Sequence, residues 1–179
     1  MENAYLGYLF AVLDDRLANL LGVAALAATD RLRAAVEADL AHGGSAPAAL
    51  VHLQAYPGEP VEGLRRVLGI SQPATVRIVD RLAAEGLLER RPGTDRRTLA
   101  LHLTSAGDRA ASAALARRAE SLRGMLEALD PAEAEALVPL LERLVASLAH
   151  DRPGALTTCR LCDRRACTSA PGCPLEHTA

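Results

Sequence analysis

The sequence predicts a mainly helical fold with a single small β-hairpin, and three observations predict it. Half of the 179 residues are hydrophobic, yet there is no Trp, one Phe and three Tyr, so burial falls to Leu, Val and Ala, which suit helices more often than the aromatics that enrich sheets. Leu6, Leu9, Phe10, Leu13, Leu17, Leu20 and Leu21 recur at the three- and four-residue spacing of a helix, and that spacing returns after Thr104. Only Leu87 to Leu103 pairs two short extended-type runs around a turn. With 23% charged residues beside the apolar half, a chain disordered throughout is excluded.

The first element is a long amphipathic helix through Leu21. A second is expected to open at Thr29 or Asp30 as N-cap and to run through Leu32, Val36 and Leu40 to a stop at Gly43 and Gly44. Ala46 to Tyr56 reads as a short helix broken by Pro57 and Gly58, and Val61 to Leu68 as another, punctuated by Gly69. Ser71 is an N-cap candidate with Pro73 in the first turn, where its missing N–H costs nothing; Val76, Val79, Leu82 and Ala83 mark the buried face of a helix ending near Gly86. Leu87 to Arg91 and Thr98 to Leu103, joined by Pro92-Gly93-Thr94-Asp95-Arg96, make the β-hairpin.

A helix follows from Thr104 or Ser105 through Leu126, and another from Asp130 and Pro131 to Leu148. Asp130 and Glu133 are spaced for a reciprocal cap, and Pro139 predicts a kink or local break. His150 to Thr158, containing Pro153 and Gly154, reads as a linker into a cysteine-bearing tail. The chain divides into N-terminal helices over 1–45, a helix–helix–hairpin unit over 46–104, C-terminal helices over 105–150 and the tail over 151–179.

Every one of the 20 basic residues is Arg, and the net charge is -2. The distribution matters more than the sum. Between Arg65 and Arg97 there are eight Arg against four acids, leaving 12 Arg against 18 acids elsewhere: a localised anion-binding surface on an acidic scaffold. No stretch reaches the roughly 18 apolar residues that span a bilayer, and Met1-Glu2-Asn3-Ala4 lacks the basic start of a signal peptide, so a cytoplasmic protein with no membrane partner is expected.

Helix, helix with a polar exposed face, basic hairpin and helix, in that order, is the winged helix-turn-helix arrangement, in which the second helix enters the major groove of double-stranded DNA. Arg77 and Arg81, spaced i, i+4, share a face. Ser71, Gln72, Thr75 and Arg77 lie near the helix start, where Arg can bridge guanine O6 and N7 and Gln can pair with adenine. The hairpin gathers Arg90, Arg91, Arg96 and Arg97 around a Gly turn, suited to phosphates or a narrow minor groove.

The run from Leu64 to Leu82, with Glu85-Gly86-Leu87-Leu88-Glu89-Arg90, then Asp95-Arg96-Arg97, Leu103-Thr104 and Gly107, resembles the MarR family of bacterial transcription regulators. The resemblance covers Ala48 to about Ala110. It implies a homodimer whose terminal helices interleave, with two recognition helices reading a pseudo-palindromic operator. It also implies that Asp95 orients its neighbour and that Arg97 contacts DNA. Gly63 departs from the family, which commonly has a helix former there. Apolar seams at Leu6, Phe10 and Leu13, and at Leu137, Leu140, Leu141, Leu144 and Leu148, independently fit a dimer, an intrachain core being the alternative.

All four Cys lie in the last 21 residues, as C-x2-C-x4-C-x5-C over Cys159, Cys162, Cys167 and Cys173. In a reducing compartment such clustering points to metal before disulfides. Structural zinc usually takes two C-x2-C knuckles, and only one is present, while irregular spacing with Pro174 after the last Cys is closer to an iron–sulfur cluster loop. Cys167 to Leu175 also resembles the second half of the [2Fe-2S] tail of redox-sensing MerR-family regulators, with the middle gap longer here by three residues. Either [2Fe-2S] or [4Fe-4S] is open, with zinc as the alternative. The sequence offers no nucleophile–base pair and no phosphate-binding Gly loop, so an enzyme is not expected. The function predicted is a dimeric DNA-binding regulator sensing redox state or a reactive small molecule. Alternatives are such a regulator with structural zinc and a small-molecule effector, and, from another class, a cluster-bearing electron carrier.

Overall fold

The computed structural model describes residues 2–37, 44–93, 99–169 and 172–176, with side chains from Asp15 onward. Helix α1 (Glu2–Glu37) is one uninterrupted helix of 36 residues, where the sequence predicts two. The Thr29 hydroxyl donates to the Ala25 carbonyl at 2.8 Å, four residues back, so the side chain that could cap a new helix closes onto the existing one. Leu40, His42 and Gly43 lie outside the described residues, as do the side chains of Leu6, Phe10 and Leu13.

Helix α2 (Ala46–Ala55) is buried at every position from Ala46 to Leu53. That is why its sequence shows no polar face. Strand β1 (Glu59–Pro60) leads into helix α3 (Val61–Leu68), which Gly69 closes at φ +64°, a left-handed conformation that suits a residue without Cβ. Helix α4 (Gln72–Ala84) starts after Ser71, whose backbone is extended as at an N-cap but whose side chain makes no capping bond.

Strands β2 (Leu88–Pro92) and β3 (Leu99–Leu103) pair antiparallel from Leu88 opposite Leu103 to Pro92 opposite Leu99, and β1 adds to the other edge of β3, giving the order β1-β3-β2. The β1 pairing is not foreseen from the sequence. Two residues carry no alternation to read, and Pro60, lacking an N–H, fits an edge strand. The hairpin tip, with Asp95, Arg96 and Arg97, lies outside the described residues.

Thr104 joins the hairpin to helix α5 (Ser105–Leu126). Its hydroxyl oxygen accepts from the Gly107 N–H at 3.1 Å and donates to the Gly86 carbonyl at 2.7 Å, fastening the start of α5 to the end of α4. Helix α6 (Pro131–Ala146) begins with the reciprocal cap: the Glu133 N–H donates to Asp130 and the Asp130 N–H donates to Glu133, each at 2.9 Å. It runs through Pro139 without ending there and has no buried residue within the single chain.

The stretch read as a linker instead forms helix α7 (Arg152–Thr158), with the Asp151 carboxylate accepting from the Gly154 N–H at 2.7 Å and Pro153 in the first turn. Asp followed by Pro is a helix-start signal that outweighs the Pro–Gly break. Helix α8 (Arg164–Thr168) completes the tail. No helix among the described residues is long and apolar enough to cross a membrane.

The core gathers Leu50 and Leu53 of α2, Leu64 of α3, Val79 and Leu82 of α4, Leu88 of β2, Leu101 of β3 and Ala111 of α5. Outside it, α1 exposes Leu17, Leu20, Leu21, Val23 and Leu26, and α6 with its exit exposes Val138, Leu140, Leu141, Leu144 and Leu148.

A Cβ on Gly107 would lie 2.0 Å from the Leu87 carbonyl oxygen, which belongs to backbone that cannot swing away. Gly107→Ala should therefore cost on the order of 3 kcal/mol in denaturant unfolding. Asp130→Ala should cost about 1 kcal/mol through the lost cap. Wild-type midpoints in either variant would contradict the corresponding contact.

Candidate nucleic-acid interface and cysteine cluster

The register of α4 decides which side chains can meet DNA. Thr75, Val79 and Leu82, at i, i+4 and i+7, are buried, which leaves Gln72, Val76, Arg77, Asp80 and Arg81 on the exposed side. Two expectations are corrected. Thr75, predicted to meet base edges, is 0% exposed, and its hydroxyl donates to the Ser71 carbonyl at 3.1 Å. Val76, predicted to be buried, is 37% exposed on the same side as Arg77 and offers an apolar contact of the kind a thymine methyl accepts. Ser71, Gln72, Arg77 and Arg81 are exposed, with Arg77 Nε donating to the Pro73 carbonyl at 3.2 Å.

Among the described residues, several Arg of the wing strand and of the first helix of the pair are engaged by nearby carboxylates. Arg90 of β2 donates to the Asp80 carboxylate of α4, tying wing to recognition helix, and Arg91 donates to Glu89. On α3, Arg65 makes a two-pronged pair with Glu62 at 2.8 Å for each bond, and Arg66 adds a third at 3.3 Å. Arg65, above all, holds the Glu62 carboxyl down at about 2. The pair is therefore complete above the ordinary carboxylate value and is lost only as pH falls toward that number. Arg77 and Arg81 remain as the cations presented by α4. Asp80 is the residue the sequence reading missed, since an ion pair ten residues apart leaves no periodic signal.

The cysteine segment folds back against the DNA-binding unit. Cys159, Cys162, Cys167 and Cys173 all line a cavity of about 330 Å³ whose other walls include His52 of α2, Tyr56 just after it, and Arg152, Arg160 and Arg164 of the tail. The four thiols are free and half-buried, close enough to perturb one another's ionisation. The neighbouring Cys162 holds the Cys159 thiol below its ordinary value, Cys159 and burial push Cys162 up, and burial followed by the neighbouring thiols pushes Cys167 up to about 12. Among the described residues no three His, Cys, Asp or Glu side chains already hold a metal-binding arrangement. The donor set itself, four thiols on one cavity wall, is the chemistry that zinc or an iron–sulfur cluster takes. His52, not singled out by the sequence, is buried in the same wall with Nε2 unpartnered, and burial lowers its pKa.

A helix pair with a polar exposed face and a basic wing over a three-stranded sheet defines a winged helix-turn-helix DNA-binding protein. A sequence model described as MarR family matches residues 44–98. A probable transcriptional regulator from Pseudomonas aeruginosa is similar at 30% identity and a TM-score of 0.55, covering 72% of this chain and 98% of that one. MepR, a transcription regulator of the Staphylococcus aureus multidrug efflux pump MepA, matches at 17% identity and a TM-score of 0.64, over 74% and 98% of the two chains. Wild-type MarR from E. coli in its apo form matches at 21% and 0.61, over 72% and 96%. A search of curated protein sequences finds no match. The chain belongs to the MarR family of winged helix-turn-helix transcription regulators. It is a DNA-binding regulator of transcription, and over a quarter of it lies outside these matched structures.

Arg77→Ala should weaken binding to a duplex selected from a random library by about 1–3 kcal/mol and should relax base preference in a repeat selection. An unchanged preference would remove Arg77 from base reading.

Proposed function

We propose that the protein works as a homodimer that reads a pseudo-palindromic operator and reports redox state or a reactive small molecule through an iron–sulfur cluster held by Cys159, Cys162, Cys167 and Cys173. The single observation that carries the sensing role is the convergence of those four thiols on one cavity beside α2. Dimerisation is supported by the apolar rows on α1 and α6, where Leu26 is 69% and Leu148 64% exposed in one chain. A pair of such rows is the material of a helical interface, and two-fold symmetry would set two α4 helices about one turn of DNA, roughly 34 Å, apart.

When bound, a cluster supplies one-electron chemistry and bonds labile to oxidants. The chain's own residues do the rest. Four deprotonated thiols make a strongly negative centre, and Arg160 and Arg164, on the same cavity wall, offset that charge. Gln72, Val76, Arg77 and Arg81 face the major groove, and Arg97 of the wing meets the backbone. Zinc in the same four thiolates is the second reading, favoured by a donor set that completes a tetrahedral site without help.

Anaerobically purified protein should be coloured, with iron and sulfide in stoichiometric amounts. Colourless protein with one zinc per chain would establish the second reading and remove the redox mechanism. Cys162→Ser should abolish the colour, leave a folded helical dimer and change operator affinity by about 5- to 150-fold. Loss of metal with unaltered affinity would make the tail a structural accessory.

A further inference from the structure

The cysteine segment is fastened to the DNA-binding helices on both sides of its first two thiols. On one side stands Thr157, in the last turn of α7 and two residues before Cys159. Its hydroxyl lies 3.1 Å from the Arg66 carbonyl oxygen and 3.1 Å from that of Pro153, so one hydrogen is shared between them. Arg66 is among the last four residues of α3, whose carbonyls an α-helix cannot pair internally. The Thr157 methyl fills the space beside Gly69, 3.3 Å from where a Cβ would stand. Gly69 is the left-handed residue that turns α3 toward α4, and Ser71, two residues on, begins the recognition helix.

On the other side stands Arg164, two residues after Cys162. Its guanidinium donates to the Tyr56 hydroxyl and lies 5.3 Å from that ring's centroid. Tyr56 closes α2 and stacks on His52 at 4.8 Å.

We propose that Thr157 and Arg164 are positioning residues for DNA reading: through them the cysteine tail holds the α3–α4 turn and the end of α2, and so sets how α4 is presented. This route stays within one chain. It rests on the DNA-binding activity and is independent of what the thiols hold, so a finding of zinc, or of no metal, leaves it standing.

The test uses the full chain and a duplex selected from a random library against the wild type. Thr157→Val removes the donor and keeps the methyl; Thr157→Ser keeps the donor. Thr157→Val should weaken binding by about fivefold or more and speed amide hydrogen exchange at residues 69–71 by about tenfold, while Thr157→Ser stays within about twofold of wild type in both. Tyr56→Phe, which removes the acceptor for Arg164, should weaken binding by a similar factor and covers the case in which Thr157→Val does not fold. Wild-type affinity and exchange in the Val variant overturn the proposal. So do equal losses in the Val and Ser variants with exchange rising throughout α2 and α5, the signature of general destabilisation. If Thr157→Val does not fold, wild-type affinity in Tyr56→Phe overturns it.

Discussion

Everything that meets DNA in this protein is hung on the burial of α2. Leu50 and Leu53 are buried at the centre of a cluster to which α3, α4, β2, β3 and α5 each contribute at least one side chain, so the recognition helix and the wing are positioned by one shared core. The strain of that arrangement shows at its polar members. His52 is buried with Nε2 lacking a hydrogen bond, and that burial disfavours a charged imidazole although the Glu59 carboxylate lies 3.9 Å away. Glu59 in turn occupies the space over Gly63: a Cβ there would stand 1.6 Å from its carboxylate oxygen.

Around that core the charges are arranged by subtraction. Glu62 engages Arg65 and Arg66, Asp80 engages Arg90, and Glu89 engages Arg91. What α4 then presents is a short surface of Gln72, Val76, Arg77 and Arg81. Cations beside an apolar contact are the kind of surface that can meet base edges as well as phosphate. The Asp80–Arg90 pair adds a surface contact between the wing strand and the recognition helix.

Much of this was legible in the sequence wherever a local signal had one physical meaning. The Asp130 and Glu133 spacing, Gly69 after α3, Pro73 behind Ser71 and the two strands around Pro92–Gly93 each announce an element through backbone chemistry alone. Signals with two meanings misled. Thr29 can cap a new helix or bond back to its own, and in an already formed helix the second costs less. Thr75 can face solvent or bury itself by bonding to Ser71; it does the latter beside Val79 and Leu82, and Val76 is left on the exposed side. What the sequence could not carry at all is contact between distant segments: β1 against β3, Asp80 to Arg90, and the tail on α2 and α3 arise from tertiary packing, which leaves no periodicity to read.

The tail changes the mechanical picture most. The described structure lays the cysteines against the unit that reads DNA, between Thr157 on α3 and Arg164 on Tyr56. A centre held there, as proposed, would be coupled to α4 through a few hydrogen bonds, a scale that fits an adjustable affinity and not an all-or-none one. The central claim, that the state of the four thiols governs DNA reading, is tested most directly by titrating one selected duplex with anaerobic protein before and after controlled exposure to oxidant. The account predicts affinities differing by about fivefold or more with the chain still folded and helical; equal affinities in the two states would contradict it.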